Sequence, residues 1–347
     1  MERKFNNAFI LSGGGTRLMI YLGMYAALEE LQMKPDVLIA TCGGAFAATV
    51  ITTFPDTISR KAYLKSEEYY QFATKDRLTK EKKLSRIGLL SLQKVWSKKN
   101  APLIEDVFHK YLADVSQDFS RDFPSLTATR FSSKIPTLLI GSQILFDPKL
   151  IGQKRGGKKL YQKVVFTDKE TASKIDLSAI TITSENYKNS AVSASVKIRT
   201  NLSMLVSARI SVSDMYYVAP VYLEDTYFAG GAVDLIPIEL AKHLAETVII
   251  EKKQSYSLVE EALVRAVLGY SGNQRLQEIE NQGANFQIDT IHIKKDLKGH
   301  YIKKSIDWKN LEICFEYPKS YQDFKDDMDK QWEYGYQQTM KAMQSEK

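Results

Sequence analysis

Apolar and amphipathic stretches alternate over the first 50 residues of the chain. Residues 7–12 (NAFILS) form a short apolar run that predicts a buried strand. Residues 17–32 (RLMIYLGMYAALEELQ) are apolar nearly all round their first turns, as a helix packed on a sheet would be. Residues 36–40 (DVLIA) predict the next strand. About 24 residues separate the two strands, so the pattern predicts a parallel β-α-β unit and an α/β fold with a mainly parallel sheet.

The middle of the chain has a different pattern. Residues 56–133 look helical and include a charged segment, KDRLTKEKKLSR, so they predict an inserted helical region or cap. Residues 135–147 and 158–168 look extended, with a basic glycine turn between them. Three more runs rich in β-branched residues predict later strands of the sheet: residues 178–184, 246–253 and 286–295.

Residues 320–347 predict a C-terminal helix packed on the core. Large apolar side chains recur there at steps of four, and a stripe with that spacing drifts slowly round a helix. Its members are Phe324, Met328, Trp332, Tyr336 and Met340. The chain has no internal repeat and no low-complexity segment, so the pattern predicts a single domain over residues 1–347.

Composition indicates a soluble globular protein, with 347 residues, 44% of them hydrophobic and 26% charged. The longest nearly unbroken apolar run, Leu18 to Leu28, is too short to cross a bilayer. The first residues lack a signal-peptide pattern, so we expect a cytoplasmic protein, or one that binds a membrane peripherally. Only Cys42 and Cys314 are cysteines, which excludes a disulfide framework and a CxxC metal site, and no motif calls for a cofactor.

The formal net charge of +7 favours anionic partners such as acidic lipid headgroups, CoA or nucleic acid. Basic residues recur in three segments, 75–86, 152–159 and 294–304. Each segment is compatible with an ordinary solvated face. No nucleic-acid-binding motif accompanies them and no aromatic residues are interleaved as a stacking platform, so we expect no nucleic-acid partner.

The segment Ser12 to Arg17 (SGGGTR) ends the first predicted strand and opens a helix. Gly13, Gly14 and Gly15 let the backbone adopt conformations closed to other residues, and the helix start exposes unpaired N–H groups. Such a turn binds negative charge, either a cofactor phosphate or the oxyanion of a reaction, and it is also compatible with a tight turn that binds nothing. Arg17 would add positive charge in either site. Leu18 occupies the third glycine position of a dinucleotide fingerprint, which disfavours the cofactor.

A second glycine-rich turn ends the next strand at residues 40–45 (ATCGGA). Ala40, Cys42 and Gly44 have the spacing of small-x-nucleophile-x-Gly, in which small neighbours such as Gly43 let the chain turn sharply at a helix start. The two turns end neighbouring parallel strands. We therefore expect the glycine loop and the elbow to open at the same edge of the sheet.

These two turns together resemble the patatin-like phospholipase family, which has a GGGxR/K oxyanion loop followed by GTSxG. The resemblance implies a three-layer patatin-like sandwich and acyl-ester hydrolysis of lipids by a Ser-Asp dyad. Its aspartate belongs to a DGG or DGA motif, for which residues 227–237 (YFAGGAVDLIP) are the match. Cys42 then stands in the serine position and Ala229 in the aspartate position, while Ala40 and Leu18 replace two glycines of the pattern.

A cysteine needs a base less than a serine does, because a helix N-terminus lowers its thiol pKa. With no carboxylate at Ala229 the thiolate is favoured, but water has no base to attack an acyl-cysteine. The sequence therefore favours acyl transfer through Cys42 with weak or absent hydrolysis, acting on a fatty-acyl lipid, acyl-CoA or acyl carrier protein at an anionic membrane surface. Asp214 is a candidate replacement carboxylate. The alternative is a catalytically degenerate pseudoenzyme that binds acyl lipid or protein.

Overall fold

The computed structural model describes residues 5–86, 94–95, 99–131 and 135–344. Its strands are β1 (Phe5–Leu11), β2 (Val37–Thr41), β3 (Thr137–Ile144), β4 (Tyr161–Phe166), β5 (Val192–Arg199), β6 (Val221–Leu223), β7 (Thr226–Ala229), β8 (Ala245–Lys252), β9 (Phe286–Asp289), β10 (Lys303–Asp307) and β11 (Glu312–Glu316). Its α-helices are α1 (Met19–Glu30), α2 (Gly43–Thr53), α3 (Thr57–Leu64), α4 (Glu67–Thr74), α5 (Phe119–Asp122), α6 (Lys169–Ser173), α7 (Glu185–Lys188), α8 (Met204–Ser211), α9 (Ile238–Leu244), α10 (Leu258–Leu268), α11 (Gly272–Gln282), α12 (Ile293–Asp296) and α13 (Tyr321–Gln344).

A mainly parallel sheet runs through the molecule in the order β5-β4-β3-β2-β1-β8-β9. Strand β1 pairs in parallel with β2 and with β8, and β2 pairs in parallel with β3. The exceptions are β4, which is antiparallel to β3, and the short β6–β7 hairpin, which joins β3 through β7. The carboxyl ends of β1, β2 and β8 thus open at one edge, where ligands of parallel sheets bind. The predicted α/β class with a mainly parallel sheet is confirmed.

Helices cover both faces of the sheet because its central strands are apolar on both sides. In β1, Phe9 and Leu11 belong to a core shared with α1 and α2. Ala8 and Ile10 belong to a second core shared with α9. Alternate residues of one strand therefore hold two helical layers in place, which gives the three-layer arrangement.

The long helix α13 packs against α1 at unusually close range. A Cβ atom on Gly23 would lie 2.0 Å from the backbone oxygen of Trp332, and one on Gly335 would lie 2.0 Å from that of Ile20. The buried face begins with Phe324 and Met328 as predicted, then shifts by one position, leaving Trp332, Tyr336 and Met340 half-buried. Small or polar residues carry the close crossing instead: Gln331, Gly335 and Thr339, followed by Met343.

The predicted strand over residues 178–184 is wrong, and the predicted strand over residues 286–295 is confirmed only in its first part. Residues 178–180 lie in a turn and residues 181–184 have no regular structure, because the Asp176 carboxylate accepts hydrogen bonds from the backbone N–H and hydroxyl of Ser178, at 2.9 and 2.7 Å, and bends the chain. Residues 286–295 form a strand only as far as Asp289, whose carboxylate accepts a hydrogen bond from the N–H of Ile291 at 2.8 Å.

The predicted helical insertion at residues 56–133 contains the short helices α3, α4 and α5 and much irregular chain. Residues 87–93, 96–98 and 132–133 of that prediction lie outside the described residues. None of the helices in the described ranges is both long and apolar enough to cross a bilayer.

Candidate active site

Cys42 occupies a sharp turn between β2 and α2. Its backbone has φ 49° and ψ −131°, a conformation that L-residues rarely adopt and that is characteristic of strained functional sites. Glycines make the turn feasible, because a Cβ on Gly44 would lie 2.0 Å from the carbonyl oxygen of Leu11 and one on Gly43 would lie 2.8 Å from Leu18. Ala40, at the first small position, is fully buried. The turn leaves Cys42 only 7% exposed, at the wall of a cleft.

The glycine loop after β1 lies directly against this turn. Gly13 and Gly15 have φ of +73° and +61°, and a Cβ on Gly13 would lie 2.8 Å from the Cβ of Cys42. Among the described residues, no acceptor bonds the backbone N–H groups of Gly14 and Gly15. Arg17 donates from Nε to the Gly14 carbonyl at 3.3 Å and packs over the ring of Tyr301. The loop therefore offers free N–H donors beside the thiol, the arrangement that an oxyanion hole requires.

Asp214 approaches Cys42 from the segment that follows α8. Asp214 is half-buried, and its carboxylate forms a hydrogen bond with the Cys42 side chain and accepts one from the Ala232 N–H at 3.2 Å. The segment is held in place by a hydrogen bond of 2.8 Å from the Gly230 N–H to the Ser213 carbonyl. A Cβ on Gly230 would lie 2.2 Å from the Asp214 Oδ1, so the carboxylate fits only because residue 230 is glycine.

The end of α8 also fixes the elbow itself. Ser211 Oγ accepts a hydrogen bond from the Cys42 N–H at 2.9 Å and donates one to the Ile140 carbonyl at 2.5 Å. The backbone of the nucleophile position is thus tied to β3 as well as to its own strand and helix. Gly231 completes the close packing, since a Cβ there would lie 3.2 Å from the Cys42 nitrogen.

The electrostatics of the pair differ from the expectation drawn from the sequence. Burial and the Asp214 carboxylate raise the pKa of the Cys42 thiol well above its usual value, and the Lys253 ammonium opposes them only in part. Burial raises the pKa of Asp214 to about 6, against the hydrogen bonds from Cys42 and Ala232. At neutral pH the stable form is a thiol that donates to a carboxylate. The expectation of a lowered thiol pKa is wrong because burial and Asp214 outweigh the helix N-terminus.

The cleft has a volume of about 270 Å³ and is open to solvent. The glycine loop, Cys42 and Asp214 line it together with the loop after β8 and the start of α10. The charged residues Arg17, Lys253, Lys294, Glu251 and Glu260 also line it. In the part of the chain that the structure describes, no three His, Cys, Asp or Glu side chains are grouped to hold a metal ion.

Comparison with known families agrees with this geometry. A family model described as patatin-like phospholipase matches residues 9–242, which include both turns and the A-G-G segment. The chain belongs to the patatin-like phospholipase family. Members of this family are lipid acyl hydrolases, so the family supports a lipid-hydrolase type of function in general. No curated protein is similar enough in sequence to match the chain.

Two solved structures resemble this patatin-like chain at low similarity. VipD from Legionella pneumophila is 12% identical, with 99% of this chain and 67% of VipD covered and a TM-score of 0.36. The type III effector protein ExoU is 14% identical, with 98% of this chain and 53% of ExoU covered and a TM-score of 0.36. The patatin-like chain spans about half the length of ExoU.

The resemblance assigns the aspartate position of the patatin-like dyad to residue 229, where this chain has alanine. Ala229 is fully buried at the end of β7, in register with Ser142 of β3, and packs in an apolar cluster. Asp214, on a different element, supplies a carboxylate to the same thiol. Residue 229 carries no carboxylate, as the sequence shows, and the structure places Asp214, the candidate replacement, in contact with Cys42. Asp214 and Cys42 lie far apart in the sequence, and only the packing of α8 against β3 and β7 brings them together.

Sequence reasoning missed three residues beside the patatin-like site: Tyr21, Glu251 and Lys253. Glu251 is buried at the end of β8 and forms an ion pair with Lys253, with 3.0 Å between Oε2 and Nζ. Tyr21 lies within α1 and its hydroxyl is 2.6 Å from the same carboxylate. The sequence held one signal for Glu251 and Lys253, because they follow the apolar run of a parallel strand. The carboxyl ends of such strands form the edge of the sheet where ligands bind.

Proposed function

We propose that this protein transfers fatty-acyl groups from lipid esters or acyl thioesters through an acyl-cysteine on Cys42, with Asp214 as the general base. The observation that carries the proposal is the buried hydrogen bond between the Cys42 thiol and the Asp214 carboxylate. Acyl transfer requires a nucleophile within hydrogen-bond reach of an ionised base. It also requires free N–H donors beside the nucleophile, and both are found here.

In the first step Asp214 accepts the thiol proton while Sγ of Cys42 attacks the carbonyl carbon of the substrate. The substrate oxygen gains negative charge, and in this proposal the N–H groups of Gly14 and Gly15, which bond no acceptor among the described residues, donate hydrogen bonds to it. When the intermediate collapses, the bond to the leaving alcohol or thiol breaks, and the leaving group takes the proton from Asp214. A thioester on Cys42 remains and Asp214 is ionised again.

In the second step an acceptor releases the acyl group. Asp214 accepts a proton from water or an alcohol, whose oxygen attacks the thioester carbon, and the sulfur leaves and recovers the proton. Weak hydrolysis was expected because a base was absent at Ala229. With Asp214 in contact with Cys42, that reason disappears, so water is an acceptable acyl acceptor in this proposal.

The rim of the cleft suits a lipid surface. Leu258 is 81% exposed and Val259 is 44% exposed, and they lie between two cleft-lining residues, Tyr256 and Glu260. Lys294 lines the same opening and would approach anionic headgroups. Burying a leucine in lipid contributes about 1.5–3 kcal/mol, so Leu258→Ser should weaken flotation with anionic vesicles roughly tenfold or more. Leu177→Ser, at a half-exposed leucine in a turn, is the control.

The decisive experiment is intact-protein mass spectrometry during incubation with p-nitrophenyl acyl esters and acyl-CoA. We expect a transient acyl adduct and ester turnover on the unmodified protein, and neither on Cys42→Ala. Asp214→Asn should slow both proton transfers, and any adduct formed on it should persist because release is slowed as well. Cys42→Ser tests whether the pair also works with a hydroxyl.

The absence of an adduct and of turnover with every donor would contradict the proposal. Asp225→Asn removes a surface aspartate from the β6–β7 turn and should behave like the unmodified protein. A turnover that survives in Cys42→Ala would assign the activity to another residue or to a contaminant.

One observation favours the second candidate, a pseudoenzyme that binds acyl lipid or protein without turnover. Burial and Asp214 raise the pKa of Cys42, which lowers the fraction of reactive thiolate at neutral pH. Iodoacetamide alkylation across pH separates the two functions. A thiol that stays inert while acyl lipid binds supports the pseudoenzyme, and alkylation that rises with ionisation of Asp214 supports the enzyme.

A further inference from the structure

A buried network ties the glycine loop to β8 and has no counterpart in the motifs of the sequence. The carboxylate of Glu251 is its centre, since it accepts hydrogen bonds from Tyr21 at 2.6 Å, Thr290 at 2.7 Å and Ser12 at 3.2 Å. Burial opposes ionisation of Glu251, but Lys253 and these hydroxyl groups outweigh it and hold the pKa of Glu251 below its usual value. A buried carboxylate in this state needs its cation.

The Tyr21 hydroxyl is close to two acceptors but can donate a hydrogen bond to only one of them. Its oxygen lies 2.6 Å from the Gly13 carbonyl oxygen and 2.6 Å from Glu251 Oε2, yet a hydroxyl has one proton to donate. Burial and Glu251 raise the pKa of Tyr21 well above its usual value, so the tyrosine stays protonated. Ser12 donates to Glu251 Oε2 at 3.2 Å but has no bond to the Gly13 carbonyl among the described residues, so another donor that reaches both oxygens is needed.

Lys253 is that donor. Its ammonium group donates to the Gly13 carbonyl and lies 3.0 Å from Glu251 Oε2, so it contacts the same two acceptors. Gly13 in turn touches Cys42, because a Cβ on Gly13 would lie 2.8 Å from the Cys42 Cβ. One cation thus reaches the glycine loop, the buried carboxylate and the neighbourhood of the thiol.

We propose that Lys253 is a positioning residue, which pins the Gly13 carbonyl to Glu251 and so holds the N–H groups of Gly14 and Gly15 toward the substrate while presenting a positive charge to Cys42. The inference rests on the proposed function of Cys42 as nucleophile and adds a residue that the family motifs do not contain. The groups that face the thiol are then Asp214 beyond α8, and Lys253 and Tyr256 beyond β8.

Alkylation of Cys42 by iodoacetamide across pH tests the proposal without any acyl substrate. Lys253→Met removes the cation and leaves Glu251 negative, so the thiol pKa should rise by about one unit and alkylation at a fixed pH should slow roughly tenfold. Lys253→Arg keeps the charge and should recover most of the rate. Lys253→Met combined with Glu251→Gln removes both charges. The alkylation rate of this double variant should lie between the rates of Lys253→Met and Lys253→Arg.

Lys252→Met is the matched control, because Lys252 is the neighbouring lysine on β8 and its ammonium group pairs with Glu280 at 2.6 Å instead of with Glu251. Thermal melting of each variant separates a folding defect from a local effect. An unchanged pH profile in a folded Lys253→Met, or the same change in Lys252→Met, would overturn the role of Lys253.

Acylation by p-nitrophenyl esters provides the second measurement. Lys253→Met should lower kcat/KM for acylation beyond the loss explained by thiol ionisation, since the loop donors are no longer fixed. If the unmodified protein forms no adduct at all, the proposed function fails while the alkylation profile still decides the role of Lys253.

Discussion

Two aspartates flank the A-G-G segment, Asp234 fully buried and Asp214 half-buried, and their surroundings give them opposite properties. Asp234 forms ion pairs with Lys163 at 2.9 Å and with Arg275 at 3.3 Å, and these cations outweigh burial and hold its pKa below the usual value. Asp214 has a thiol and a backbone N–H as partners, and burial raises its pKa to about 6. The same residue type is thus a structural anion in one place and a titratable group near neutral pH in the other.

The comparison teaches that burial alone does not assign a role. A buried carboxylate with two cations holds elements together, here β4 and α11, and has no free capacity for a proton. A half-buried carboxylate beside a nucleophile, such as Asp214, which forms no ion pair with any described residue, is poised to exchange a proton. The partners of Asp234 lie on elements that are distant from it in the sequence.

The largest effect expected is on the reaction itself. Asp214→Asn keeps the shape but removes the base, so turnover of p-nitrophenyl esters should fall by about 10²–10⁴. Stopped-flow ester hydrolysis measures the change. Asp225→Asn is the surface control. An equal loss of turnover in Asp225→Asn, or no loss in Asp214→Asn, would contradict the role that distinguishes Asp214 from Asp234.

The next effect concerns folding. Asp234→Ala leaves Lys163 and Arg275 buried without a shared anion, so the free energy of unfolding should fall by roughly 3–5 kcal/mol. Urea denaturation measures it. Glu312→Ala removes a partly exposed pair with Lys82 and should cost only about 0–1 kcal/mol. Similar losses of unfolding free energy in Asp234→Ala and Glu312→Ala would contradict the structural role of Asp234.

The pH dependence of stability should separate Asp214 from Asp234 by sign. The pKa of Asp214 is higher in the folded state, so the folded chain binds the extra proton and its stability falls as pH rises from about 4 to 6. Asp214→Asn should abolish that fall and be more stable than the unmodified protein by up to roughly 3 kcal/mol at pH 7. Asp234 has a lowered pKa and contributes stability that is lost as pH falls below the unfolded-state pKa. Denaturation curves at pH 4 and pH 7 measure the difference in unfolding free energy between Asp214→Asn and the unmodified protein. The same difference at both pH values would contradict a raised pKa of Asp214 in the folded state.

The smallest effect is expected at Gly230. A Cβ there would lie 2.2 Å from Asp214 Oδ1 and 2.7 Å from the Asp214 nitrogen, so Gly230→Ala must displace the carboxylate and its backbone. A cost of roughly 1–3 kcal/mol in stability is expected, together with a shift in the pH profile of Cys42 alkylation. Adding Asp214→Ala removes the clash with the carboxylate and should recover part of the lost stability. Full stability in Gly230→Ala would mean that Asp214 is held less tightly than its contacts indicate.

Much of the fold was predictable because its signals are local. The apolar run in β1, the all-round apolar α1 and the run in β2 specify a β-α-β unit by periodicity and spacing alone. Predictions failed where a single polar side chain redirects the chain, as at Asp176 and Asp289, since hydrophobic patterning does not register such turns. The buried face of α13 shifted because Gly335 allows a backbone contact with Ile20 that no stripe of large residues reveals.

For this protein the sequence by itself determined the family, the mainly parallel sheet and the two glycine turns, because glycines at a helix start and apolar periodicity act over a few residues. Only the tertiary structure decided which carboxylate faces Cys42 and which cation faces the glycine loop. Asp214 lies 172 positions from Cys42 by residue number and Lys253 lies 240 from Gly13. Contacts over such separations depend on how α8 and β8 pack against the sheet, and burial then sets the pKa values on which the chemistry depends.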